Sequence, residues 1–81
     1  MKFNERLKAI IKFKELQQKD FAKEIKISES MVSRWLKGIS MPRVKHLEKI
    51  SKFLNVSVSA LLGQEELLDR LLERYESELI A

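Results

Sequence analysis

Apolar residues recur along this chain at intervals of three and four, in short bursts separated by polar breaks, which is the mark of short amphipathic helices. Leu7, Ile10 and Ile11, with Phe3 ahead of them, give the inward face of a first helix that Asn4 can cap and that runs to about Lys14. Phe21, Ala22 and Ile25 predict a second helix over Gln18–Ile25. After Lys26-Ile27, Ser28 is a good N-cap for a third helix reaching Lys37, with Val32, Trp35 and Leu36 inward and Gly38 as its stop. Ile39–Pro42 reads as a loop, because the residue before a proline is biased away from helix. Val44, Leu47, Ile50, Phe53 and Leu54 predict a fourth helix over Arg43–Leu54, and Ser57 caps a short fifth one through Leu62, closed by Gly63.

The last segment differs in kind. Leu67, Leu68, Leu71, Leu72, Tyr75 and Leu79 fall within a sector of about 140° on a helical projection. Glu66, Asp69, Arg70, Glu73, Arg74 and Glu76 take the other side, with Glu66–Arg70 and Arg74–Glu78 at i,i+4 spacing. Such a stripe must pack on its own domain or on another copy of itself. The expected fold is all-α: a compact five-helix domain over 1–63, followed by one C-terminal amphipathic helix over 64–81.

Composition narrows the function. The 81 residues contain no cysteine, two glycines and one proline, which excludes disulfide staples, thiolate metal sites and a hairpin-rich β fold. No apolar run exceeds three residues, so neither a membrane span nor a signal-peptide core is present, and a cytoplasmic location is expected. The net charge of +4 conceals a step. Met1–Gly63 carries 14 basic and 6 acidic residues, a balance of +8, whereas Gln64–Ala81 carries 2 basic and 6 acidic, a balance of −4. A basic domain points to a polyanionic partner. His46 is the single histidine, and no metal-ligand spacing, nucleophile–base pair or glycine-rich phosphate loop accompanies it. No catalysis, metal or cofactor is therefore expected.

The informative stretch is Gln18–Gly38: two short helices, a tight turn, a Ser cap and a Gly stop, which together form a helix-turn-helix unit. With Gln18, Phe21-Ala22, Ile27-Ser28, Val32-Ser33-Arg34-Trp35 and Gly38, the chain resembles the Cro/phage-repressor type of helix-turn-helix DNA-binding domain. Pro42, the Leu47…Ile50…Leu54 pattern and Val56-Ser57-Val58…Leu61-Leu62 match the last two helices of that family, so the resemblance covers about Phe3–Gly63.

The resemblance implies that the third helix lies in the major groove with its N-terminal half against base edges. Arg34 is then the foremost base reader, since guanidinium matches the O6/N7 acceptor pair of guanine. Glu29, Ser30 and Ser33 are further base-reading candidates, although Glu29 is equally a first-turn acid favoured by the helix dipole. Gln18, Ser28, Lys37 and Arg43, with Lys19, are the implied phosphate contacts, which position the protein without reading sequence. Trp35 falls on the core face.

The sequence departs from the family pattern in three places, the third a coupled pair of positions. Lys26 and Glu15 stand where relatives usually carry Gly, and a left-handed Lys26 costs roughly 1 kcal/mol. Ile11 and Leu36 replace an Arg and a Glu that form a partly buried ion pair in many relatives, so the two are expected to touch.

The reading is a sequence-specific regulator of transcription that binds double-stranded DNA, a repressor acting as a homodimer on a two-fold symmetric operator. Leu68, Leu71, Leu72, Tyr75 and Leu79 are its expected dimer seam. The alternative is an antitoxin or adaptor whose main partner is another protein, reached through the C-terminal helix. A membrane-surface role is disfavoured, because the strongly amphipathic segment is acidic.

Overall fold

Residues 1–80 are described by a computed structural model, and Ala81, the last residue of the expected C-terminal segment, lies outside the described residues. Six helices follow one another: α1 (Phe3–Phe13), α2 (Gln18–Glu24), α3 (Glu29–Leu36), α4 (Val44–Leu54), α5 (Val58–Leu61) and α6 (Glu66–Ile80). Their order and boundaries follow the periodic pattern to within about two residues, with one correction at the start. Asn4 does not cap α1. The cap is Lys2, whose backbone N–H donates to the Glu5 carboxylate at 2.7 Å. A carboxylate three residues on satisfies an otherwise orphaned N–H and draws the helix start forward. Asn4 lies inside the first turn, where its amide donates at 3.5 Å to the carbonyl of Leu36.

Each of α1 to α5 closes in the same way. A left-handed residue follows the helix, at Glu15, Lys26, Gly38, Asn55 and Gly63. The N–H after it then bonds back across six residues: Leu16 to Ile11, Ile27 to Ala22, Ile39 to Arg34, Val56 to Ser51 and Gln64 to Ser59, at 2.9–3.1 Å. This is the Schellman closure, which satisfies carbonyls that the last turn would leave unpaired. Three of the apolar residues that follow the left-handed position, Leu16, Ile27 and Val56, pack against the core. Glu15 and Lys26 adopt φ 56° and 58° without the freedom of glycine. That conformation costs about 1–2 kcal/mol each, an amount the surrounding core must offset. At the helix starts, Ser28 accepts from the N–H of Met31 at 3.1 Å and Ser57 from that of Ala60 at 3.0 Å.

The core gathers Leu7, Ile10, Phe21, Val32, Trp35, Ile50, Leu54 and Leu61, all essentially inaccessible to solvent. Ile11 lies in this cluster and Leu36, half-buried, packs against it. The radius of gyration, 12.0 Å, matches the value of about 12 Å for a compact chain of this length.

α6 lies along α1. Leu72 belongs to the core cluster and Leu68 packs against it, while Tyr75 meets Phe13 edge-on with ring centroids 4.9 Å apart. The join is fixed by a group that periodicity did not single out. Arg6, 4% exposed, donates to both carboxylate oxygens of Asp69 at 2.6 and 2.9 Å, to the Leu61 carbonyl at 3.0 Å and to the Met1 carbonyl at 2.7 Å. Hydrogen bonding from Arg6 holds the Asp69 carboxyl below its ordinary range, against the opposing effect of burial. Gly63 lies directly over this guanidinium, and a Cβ there would clash with it.

Candidate nucleic-acid interface

α2 and α3 form a tight pair because the Lys26–Ser28 turn leaves no slack between them. The Schellman closure at Lys26 ends α2, and Ser28, two residues later, caps α3. Val32 and Trp35 anchor α3 by burying one side of it completely. The other side is forced outward. Ser30, Arg34 and Lys37, spaced i, i+4, i+7, make one exposed ridge, with Ser33 half-buried on its flank and Ser28 and Glu29 exposed at the leading end. The structure thus brings together all four expected base-reading residues, Glu29, Ser30, Ser33 and Arg34, on the open side of α3.

Gln18, the first residue of α2, is half-buried, and its amide donates to the carbonyl of Glu29 at 3.5 Å. This ties the start of α2 to the start of α3 and leaves the Gln18 carbonyl oxygen for another donor. Lys19 is exposed beside it. At the other end Lys37 caps α3 and Arg43 precedes α4, both exposed, with the loop of Gly38 to Pro42 between them. α4 opens with no acidic residue in its first turn and no side-chain cap, so its positive dipole end is uncompensated.

Several apolar residues on this side are exposed, among them Val44, which the sequence pattern grouped with the apolar positions of the fourth helix. Met31 is 41% exposed on α3, and Ile39, Met41 and Val44 are 58%, 55% and 70% exposed on the following loop and helix start. Met31 had a readable signal, since it lies about 100° from Val32 on the helix. A side chain there suits apolar contact with a thymine methyl group.

The charge on this side is not neutralised internally. The salt bridges among the described residues join Arg6 to Asp69, Arg70 to Glu66 and Arg74 to Glu78, so each involves α6. His46 records the resulting field. Its ring lies 5.6 Å from that of Trp35, and its pKa is lowered first by burial and then by Lys45, Lys49 and Arg43. Among the described residues no group of three or more His, Asp or Glu side chains is placed to hold a metal ion, and no helix is long and apolar enough to cross a membrane.

Of the five residues expected at a dimer seam, Leu72 is 4% exposed against its own domain, Leu68 and Tyr75 are half-buried, and Leu71 and Leu79 are 55% and 53% exposed. Leu67 and Phe13 are exposed as well, at 69% and 54%. The apolar stripe of α6 is thus divided between an inner half that braces α1 and an outer half open to solvent.

A two-helix unit with one helix anchored by Val32 and Trp35 and displaying an unpaired polar and cationic ridge defines a helix-turn-helix DNA-binding domain. The helix-turn-helix family matches residues 7–61, more than half of the chain, and the chain belongs to this family of DNA-binding transcriptional regulators. It is 37% identical over 68 residues, 84% of its length, to the HTH-type transcriptional activator BcrR of Enterococcus faecalis. The chain spans a third (33%) of the length of that relative. No solved structure matches it.

Proposed function

We propose that the chain binds double-stranded DNA in a sequence-specific manner and regulates transcription by occupying promoter DNA, as a repressor. The observation that carries this reading is the ridge of Ser30, Arg34 and Lys37, exposed on a helix whose opposite side is locked into the core. Arg34 reads a guanine, Ser30, Ser33 and Glu29 contact neighbouring base edges, and Gln18, Ser28, Lys19, Lys37 and Arg43 hold phosphates on either side of the groove. Membership of the family supports the DNA-binding part.

The active species in this proposal is a homodimer on a two-fold symmetric site, with half-sites about one helical turn apart. The outer half of α6, Leu71 and Leu79 with Leu67, and the adjoining Phe13 supply the contact, while Leu72 and the inner half brace each protomer. A second reading of the regulatory sign, activation, is favoured by the name of the Enterococcus relative. Selection of bound sites from random duplex DNA tests the proposal. Recovery of a symmetric motif with two half-sites supports it. Recovery of no motif from a folded protein removes DNA reading and favours an antitoxin or adaptor partnered by protein. A promoter reporter carrying the recovered site then separates repression from activation.

A further inference from the structure

A second cationic surface lies beside the recognition helix, and none of the roles above uses it. Lys26, Lys49 and Lys52 line an open cleft of about 340 Å³ whose floor is Ile25 and the partly exposed ring of Phe53. Glu24 is the one acid at its edge. Lys45 extends the row, because Lys45, Lys49 and Lys52 are spaced i, i+4, i+7 and lie on the side of α4 away from the buried Leu47, Ile50 and Leu54. All four lysines are exposed, and none forms a salt bridge among the described residues. Glu48, exposed three residues after Lys45 and four before Lys52, is the acid of α4 that falls on the same face. The row spans about 10.5 Å along the helix, comparable to three nucleotides of one strand at about 3.4 Å each.

Position decides the partner. Lys26 stands two residues before Ser28, the cap of α3, and Lys45 two residues after Arg43. The row therefore begins near one edge of the proposed major-groove contact and ends beside the turn that leads into it. We propose that Lys26, Lys49 and Lys52, with Lys45, form a second phosphate-binding surface that engages duplex DNA flanking the half-site read by α3. The lysines act as point charges on flexible stems, suited to a backbone of any sequence. Ile25 and Phe53 offer an apolar floor against deoxyribose. The surface lengthens the footprint and steepens its salt dependence without altering the sequence that is read. This inference rests on the DNA-binding reading above.

The test uses the full chain, the selected operator as a short duplex holding only the two half-sites, and the same operator with about 12 further base pairs on each side. The expected result is tighter binding of the long duplex by tenfold or more at low salt. Its slope of log affinity against log salt should be steeper by about 2, given about 0.9 per phosphate neutralised. The double variant Lys49→Gln/Lys52→Gln should lose that gain and the extra slope while binding the short duplex within twofold of the unaltered chain. An unchanged thermal midpoint shows that the variant is folded. Equal losses on both duplexes, or no effect of flank length in the unaltered chain, would overturn the inference while leaving DNA binding intact. Capture of polyglutamate by the unaltered chain, lost in the variant without any flank effect, would reassign the surface to an acidic protein. No binding to either duplex would overturn the DNA-binding reading and this inference with it.

Discussion

Removing the Asp69 carboxylate isolates the contribution of the α1–α6 join. In Asp69→Ala the Arg6 guanidinium keeps its two carbonyl acceptors, Leu61 and Met1, but loses both oxygens of its counter-ion while remaining 4% exposed. Breaking a buried pair by deleting one partner costs about 3–5 kcal/mol, because the surviving charge stays desolvated. Asp69 is itself 16% exposed, so water can relieve part of the penalty and the lower end, about 3 kcal/mol, is expected. For a domain of this size that lowers Tm by about 12–24 °C. It is also a large share of a total stability of about 5–15 kcal/mol. Urea titration followed by circular dichroism measures it. The pair Arg6→Met/Asp69→Leu should regain part of the loss, since hydrocarbon of similar volume can replace a buried ion pair but leaves the Leu61 and Met1 carbonyls without their donor. A loss below about 0.5 kcal/mol in Asp69→Ala, or a double variant no more stable than the single one, would refute the reasoning.

Other consequences follow from single residues. Lys26→Gly relieves a left-handed backbone at φ 58° and should raise stability by up to about 1 kcal/mol, measured by the same titration, less the entropy gained by the unfolded glycine. His46 holds a lowered pKa in the fold, so below its ordinary 6.5 the unfolded chain binds more protons than the folded one. Stability should therefore rise as pH climbs from the folded pKa through the ordinary 6.5, and thermal melts of His46→Gln should lack that slope. Asp69 acts in a separate window. Its folded pKa lies below the ordinary 3.8, so its contribution is present above that value and is lost as pH falls through the folded one.

The five helices of 1–63 were legible because apolar spacing, two serine caps and two glycine stops agree with one another. Other features were hidden for identifiable physical reasons. Asn4 looked like a cap because its residue type favours one, yet Glu5 satisfies the N–H of Lys2 and the helix starts earlier. Asn55 follows Leu54, the expected end of the fourth helix, and its left-handed role was readable from its type, since asparagine there tolerates that conformation. Arg6 was not singled out, although it stands three and four residues before Ala9 and Ile10 and so falls on the buried face. Its partner Asp69 sits beside Leu68 at the border of the apolar stripe of α6, where a carboxylate reads as ordinary surface. The stripe itself was evident, but its division between α1 and solvent depended on this pair. At the candidate interface the polar ridge of α3 could be read from its spacing against Val32 and Trp35. The lysine cleft could not, because Lys26 and Lys49–Lys52 meet only through the packing of the α2–α3 turn on α4.

The central claim, that the outward ridge of α3 reads base sequence, is tested most directly by Arg34→Ala. Affinities of the unaltered chain and the variant are compared on the selected operator and on its single-base-pair substitutions. Arg34 is exposed, so the replacement leaves the fold intact. The variant should bind the operator more weakly by about 1–3 kcal/mol and lose discrimination at one guanine position in each half-site, with preferences elsewhere retained. An Arg34→Ala protein that still discriminates at every position, or that weakens equally on all sequences, would contradict the assignment of α3 as the reading helix.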